Sequence, residues 1–314
     1  ALHPWADMVR FARTGGEACA AAVRIGRAAS GKSIVAFCGY HGWHDWYLSA
    51  NLGNSSNLDG QLLPGLDPAG VPRGLKNTAL PFKYNSIREL EEIICRYPGE
   101  VGVIILEPLR GTKPEESFLE KVRGIASRIG AVLIFDEVTS GFRMTVGGIH
   151  KTLGVEPDIA VFGKALGNGF PVAAVVGRRD VMEAAQKSFI SSTFWTERIG
   201  SAAALAALDK MQACNVPHHL IHYGNLINEG WRQLSVKHGL NIVITGIPPL
   251  THLTFDTDLD SSALQTLYTQ EMLTKGYLLG ASVYTTYTYS EAVIERFLAD
   301  SDPVFKMLRE AVDR

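Results

Sequence analysis

Ala131-Val132-Leu133-Ile134-Phe135 runs without a polar side chain and ends abruptly in Asp136-Glu137, and Ile159-Ala160-Val161-Phe162 does the same and ends in Gly163-Lys164. Uninterrupted apolar runs rich in branched side chains suit strands covered on both faces of a parallel sheet. Ile34-Val35-Ala36-Phe37-Cys38 and Val101-Gly102-Val103-Ile104-Ile105-Leu106 repeat the pattern, and Ile87 to Cys95 and Phe118 to Ile129 carry helical spacing. Strand and helix in alternation predict an α/β fold with a mainly parallel sheet. In open sheets of that class, ligands sit beyond the carboxyl ends of the strands. Those ends carry Tyr40, Glu107, Asp136 and Lys164. One cleft is the economical reading.

A lysine in an apolar setting gives up its proton readily enough to act as a nucleophile or form a Schiff base. A carboxylate at a strand end can hold a nearby ring nitrogen protonated, because an adjacent opposite charge favours the charged form. Pyridoxal 5'-phosphate (PLP) needs these two groups, a lysine for its aldehyde and a carboxylate for its pyridine nitrogen. Taken singly, Asp136 reads as a helix cap and Lys164 as a solvated loop residue. Their placement on two apolar strand ends favours the cofactor.

The totals exclude several classes. The chain has 314 residues, 46% hydrophobic and 20% charged, with a formal net charge of -2. That length supports one large or two modest domains. The near-neutral balance predicts neither nucleic acid nor an anionic membrane as partner. Cys19, Cys38, Cys95 and Cys214 are scattered and form no C-x-x-C pair, which fits a reducing, cytoplasmic compartment. There is no long uncharged apolar stretch and no signal peptide at the start.

Thr14-Gly15-Gly16-Glu17 precedes an alanine-rich helical segment reaching Ala29. Free amides and a positive helix end make such a turn an anion site, though an ordinary N-cap has the same letters. Gly26-Arg27-Ala28-Ala29-Ser30-Gly31-Lys32-Ser33 matches the P-loop pattern letter for letter. A P-loop needs a strand before it and a helix after it. Here the order is reversed, and Gly31 reads as a helix C-cap. Past the next strand, Gly39-Tyr40-His41-Gly42-Trp43-His44-Asp45-Trp46-Tyr47 is rich in rings that can stack on a planar cofactor. The pair His41 and His44, with Asp45 beside it, could suggest a metal site, but no further ligand of matching spacing accompanies it and no metal is expected. His218, His219 and His222 read as surface or helix-start residues. Residues 49–81 read as a long loop, a candidate lid. Ser191 to Thr196 is a hydroxyl-rich turn before a second alanine-rich helix, Gly200 to Met211. After about Val216 come helices at Leu220–His238, 262–275 and 291–299 with strands at 242–245 and 253–255. These predict a smaller α+β domain, dividing the chain into 1–215 and 216–314.

Phe135-Asp136-Glu137-Val138, Gly141-Phe142-Arg143, Pro157-Asp158, Gly163-Lys164 and Gly169-Phe170-Pro171 together resemble the class III (fold type I) PLP-dependent aminotransferases. The likeness is greatest to glutamate-1-semialdehyde 2,1-aminomutase and its aminotransferase relatives. It implies that the first domain binds PLP and that Lys164 forms the Schiff base and later moves the proton. Asp136 would pair with the pyridine nitrogen, Val138 would pack on one ring face, and Tyr40 would stack on the other with His41 beside it. Gly15 and Gly16 would hold the phosphate, and Thr193 would reach the phosphate of a neighbouring subunit in a homodimer. Glu107 matches the family's Glu-Pro near the cofactor. Two places depart. The family usually has serine or threonine at Gly16, and it reads Ser-Gly-Asn-Pro where this chain has Trp195-Thr196-Glu197-Arg198. Family members also carry an N-terminal segment before the point where this chain starts, so a fragment is expected.

The activity implied is transfer of an amino group between an amino compound and a keto or aldehyde acceptor. An aminomutase, running both halves on one molecule, is the alternative. A PLP racemase or epimerase would share every cofactor residue. A P-loop nucleotide-binding protein and a cofactor-free structural relative are the remoter alternatives.

Overall fold

The computed structural model describes residues 1–61, 63–109, 111–257 and 260–313. It divides into two units, one of residues 1–109 and 114–213, the other from Cys214 onward with the short piece before Pro114.

The first unit is built on a seven-stranded sheet of β1 (Met8–Ala12), β2 (Ile34–Cys38), β3 (Ala79–Pro81), β4 (Val101–Leu106), β5 (Val132–Asp136), β6 (Ile159–Phe162) and β7 (Ala173–Gly177), in the order β1-β7-β6-β5-β4-β2-β3. β3, β2, β4, β5 and β6 run parallel, whereas β7 is antiparallel to both β6 and β1. Residues of β2, β4 and β5 point alternately into two cores. Val35, Phe37, Val103, Ile105 and Ile134 meet the Gly15–Ser30 helix through Ala18, Ala22 and Ile25. Ala36, Ile104, Leu133 and Phe135 meet the other face through Leu90, Val122 and Ala126. Both faces are covered, so these strand sequences are apolar up to their carboxyl ends, where Asp136 closes β5.

The neighbour relations place the site. Cys38 pairs with Leu106, Leu106 with Phe135, and Asp136 with Val161. The carboxyl ends carrying Tyr40, Glu107, Asp136 and Lys164 are therefore consecutive along the sheet.

In this unit, three strand features were not read from the sequence. Met8–Ala12 is an edge strand, and Ala79–Pro81 is a three-residue edge strand. β7 reverses because residues 163–172 are too short a link for a parallel crossover. The expected long loop at 49–81 is also cut up. It holds 3-10 turns at Ser49–Leu52 and Arg73–Leu75, and Asn51 bonds the backbone of Leu66 and Leu58.

In the second unit, β8 (Ile242–Ile247), β9 (Leu250–Phe255) and β10 (Ser282–Tyr284) form an antiparallel sheet in the order β10-β9-β8. It packs with the helices Val216–His238, Ser261–Thr274 and Glu291–Val312 around Trp231, Tyr268, Phe297 and Phe305. Trp231 donates to the Tyr268 hydroxyl at 3.2 Å, and burial pushes that phenol's pKa up to about 12. The last helix passes through Pro303, where the sequence pattern suggested an end near Ala299. Burial of Val304, Phe305 and Leu308 beyond it outweighs the ~3 kcal/mol an interior proline costs. Among the described residues, no helix is long and apolar enough to cross a membrane.

Candidate active site

Asp136 ends β5 with only 4% of its surface exposed. Its Oδ1 accepts from the Val138 amide at 3.0 Å. Its Oδ2 faces His41 Nδ1 at 2.8 Å and accepts from Cys19 Sγ at 3.2 Å. The other His41 nitrogen, Nε2, faces the Cys38 carbonyl at 3.1 Å. Both ring nitrogens thus face oxygen atoms. Burial, followed by the Asp136 charge, raises the Cys19 pKa well above its ordinary value. Cys19 is therefore a thiol donor and not a thiolate.

Lys164 follows β6 with φ of 44°, in the left-handed region that a side chain rarely occupies. Strain of this kind persists only where the surroundings enforce it, and it gathers at functional sites. The Lys164 Nζ donates to Thr139 Oγ1 at 2.8 Å. Thr139 sits on the same turn as Val138, three residues beyond the carboxylate.

The third component is the turn before the Gly15–Ser30 helix. Thr14 Oγ1 accepts from the Glu17 amide, and the Glu17 carboxylate accepts from the amides of Arg13 and Thr14. This capping box uses the donors around the turn and leaves those of Gly15 and Gly16 without a protein acceptor among the described residues. Two free amides at a helix start form an anion cradle. A Cβ on Gly42, whose φ is +98°, would lie 2.7 Å from Gly16 Cα. Gly42→Ala is accordingly expected to lower stability by about 2–4 kcal/mol, backbone strain and overpacking together, measurable by urea unfolding. Gly16 in turn faces the ring of His44, whose Cε1 would be 3.1 Å from an added Cβ.

These parts line one cavity of about 380 Å³. It brings together Gly15, Gly16, Tyr40, His41, Asp136, Val138 and Lys164. Glu107 and Thr193 do not line it. Glu107 is buried behind Tyr40, accepting from its amide at 3.3 Å, and Thr193 lies in an exposed turn. Residues that the sequence did not single out also line it, among them Arg13, Cys19 and Thr139. The first two were legible in principle, Arg13 lying two residues before Gly15 and Cys19 one helical turn after it. His41 does not associate with Asp45. Instead, ligand atoms of Cys19, His41 and Asp136 lie within 4.8 Å of one another, close enough for an ion, and are engaged in hydrogen bonds among themselves.

Residues 1–279 match the aminotransferase class-III family model. The chain belongs to the class-III aminotransferase family. It is 31% identical over 264 residues to 3-aminobutyryl-CoA aminotransferase of Cloacimonas acidaminovorans, covering 82% of this chain and 60% of that protein. It is 30% identical over 325 residues to glutamate-1-semialdehyde 2,1-aminomutase of Sulfurihydrogenibium azorense, covering 96% of this chain and 75% of that protein. The FumI protein of Sphingopyxis sp. MTA144, solved in its PLP internal aldimine form, superposes with a TM-score of 0.87 at 22% identity, over 97% of this chain and 72% of that one. At that identity the superposition speaks for the fold. The chain spans about three-fifths of the length of the 3-aminobutyryl-CoA relative.

The departure at Trp195-Thr196-Glu197-Arg198 acquires a role in this class-III frame. The Glu197 carboxylate accepts from the amides of Ile199 and Gly200, both at 2.6 Å, and so caps the Arg198–Ala213 helix. It also pairs with Arg13 at 2.7 Å. The Gly200 bond is the largest cause holding the Glu197 pKa below its ordinary value. Arg13 donates as well to the Pro171 carbonyl at 3.0 Å, tying the cradle turn to the segment that follows Lys164.

Proposed function

We propose that this chain carries the cofactor site of a PLP-dependent aminotransferase, with Lys164 as the residue that bonds the cofactor covalently. The observation that carries the reading is the meeting of the Lys164 amine, the buried Asp136 carboxylate and the free Gly15-Gly16 amides in one cavity. PLP, when bound, supplies an electron sink that stabilises negative charge developing at the substrate carbon. The cradle amides and the helix end hold its phosphate. Asp136, held by the Val138 amide and His41, keeps a lone pair of Oδ1 for the protonated ring nitrogen. Val138, packed beneath Gly15, and Tyr40 cover the two ring faces. Thr139 orients the Lys164 amine, which takes and returns the substrate's proton over a short path as general base and acid.

The two units serve in this reading as a PLP-binding major domain and a C-terminal small domain. The enzyme is cytoplasmic and homodimeric, with Thr193 of one subunit reaching the phosphate site of the other and Glu107 supporting Tyr40 from behind. The substrates are an amino donor and a keto or aldehyde acceptor. Similarity to an aminomutase over nearly the whole chain keeps intramolecular transfer as the second reading.

An absorption spectrum with added PLP tests this. A new visible band is expected, bleached by the amines that act as donors and fixed onto the Lys164 peptide by borohydride. Absence of any band with excess PLP would sink the proposal. Formation of keto product from an added amine, against rearrangement of one diamino or amino-aldehyde compound, separates transaminase from mutase.

A further inference from the structure

Cys19 has no part in the chemistry described above, yet it is fully enclosed and its sulfur lies 3.2 Å from Asp136 Oδ2. It stands on the Gly15–Ser30 helix, three and four residues after the two cradle glycines, so its side chain lies on their face of the helix one turn on. The same helix would therefore serve both ends of a bound cofactor: the phosphate through Gly15 and Gly16, and the ring-nitrogen partner through Cys19. Oδ2 already faces His41 and accepts from Cys19, which occupies both of its lone pairs. Oδ1 has only the Val138 amide and retains one lone pair. A carboxylate with three fixed donors has one orientation, and that orientation presents Oδ1.

Resting on the PLP reading, we infer that Cys19 is a positioning residue. Its thiol donates to Asp136 Oδ2, fixes the carboxylate against the cradle helix, and thereby sets the pairing of Oδ1 with the cofactor's ring nitrogen. Cysteine suits the place. Its neighbours on the helix, Ala18, Ala22 and Val23, are buried and apolar, and a thiol behaves there as a small hydrophobe carrying one weak donor. The upward shift of its pKa keeps that proton on sulfur.

The test measures cofactor uptake, with no turnover required. Wild type, Cys19→Ala and Cys19→Ser are titrated with PLP and, separately, with the analogue in which the pyridine nitrogen is replaced by carbon. For PLP, Cys19→Ala is expected to raise the half-saturating concentration about two- to tenfold, the span of one hydrogen bond. Cys19→Ser, which keeps a donor of similar size, is expected to restore it. For the carbon analogue, which has no ring nitrogen for Asp136 to pair with, the three proteins are expected to bind alike. Equal loss for both ligands would mean that Cys19 only fills space, and no loss for either would mean that its bond to Asp136 is immaterial. Each result overturns the inference while leaving PLP binding intact. Wild type that takes up neither ligand would instead overturn the functional reading itself.

Discussion

Lys164→Ala is expected to slow the reaction of PLP-loaded protein with an amine by about 10⁴-fold or more, while leaving the fold intact. Two contributions are lost together. A positioned general acid–base group is worth roughly 10²–10⁴, and holding that group beside the reacting carbon removes a further entropic barrier. The fold is expected to survive because the residue is not part of a core cluster. It is exposed, and the Nζ bond to Thr139 is the polar contact described above. Alanine at a φ of 44° is strained as lysine is, so the substitution neither relieves nor adds much. Cofactor bound through the Gly15-Gly16 cradle and Asp136 should remain, but without the band that borohydride fixes to protein. Rapid mixing of loaded variant and wild type with one amine gives the ratio. A small primary amine added to the variant should recover part of the rate, since a diffusible base replaces the lost one without its positioning. A variant reacting within tenfold of wild type would remove Lys164 from the chemistry.

The parts of this site that could be read from the sequence share a physical reason. β5 and β6 are covered on both faces, so their sequences are apolar up to the residue where the sheet ends, and Asp136 and Lys164 stand out against them. The direction of β7 was hidden because an apolar run reads the same both ways. Only the short link from Lys164 to Val172 settles it. Cys19 was hidden because, in an alanine-rich helix, a small buried thiol looks like one more core residue. The partner of His41 was hidden for another reason: Asp136 lies 95 positions away, while His44 and Asp45 are close at hand. Glu197 was legible as a departure from the family but not as a function. Its role depends on Arg13, which folding brings from 184 positions away. Local pattern reports burial, and pairings between distant polar residues come only from the assembled sheet.

Glu137, next to Asp136, carries the largest stability prediction. It is 0% exposed, and two donors meet each of its oxygens. Oε1 accepts from the His150 amide at 2.9 Å and from His150 Nδ1 at 2.6 Å. Oε2 accepts from the Ile149 amide at 2.7 Å and the Ser140 hydroxyl at 3.0 Å. His150 Nε2 accepts in turn from Trp5 Nε1 at 3.1 Å, which leaves Nδ1 as the imidazole's donor. His3 stacks on His150 with ring centroids 5.5 Å apart and accepts from the Gly148 amide. Burial brings the His3 pKa down to about 4, so His3 is neutral at pH 7. The carboxylate is thus held by oriented hydrogen bonds to uncharged groups, and removing it strands all four donors in a dry interior. Glu137→Ala is expected to destabilise the first unit by about 3–5 kcal/mol. Glu137→Gln should lie between the two, because its NH₂ must face two of the donors. Urea unfolding followed through Trp5, with Trp231 reporting on the second unit, measures both. A loss below about 1 kcal/mol for Glu137→Ala would mean that water or the Ser140 hydroxyl takes over the acceptor role. The effect should also reach the cofactor. The Glu137 carbonyl accepts from the Gly141 amide at 2.8 Å, closing the turn that presents Val138 and Thr139 to the cavity. A sheet end that must hold Asp136 in one orientation is secured from behind by its neighbour, so weakening Glu137 should weaken PLP uptake even though no atom of Glu137 lines the cavity.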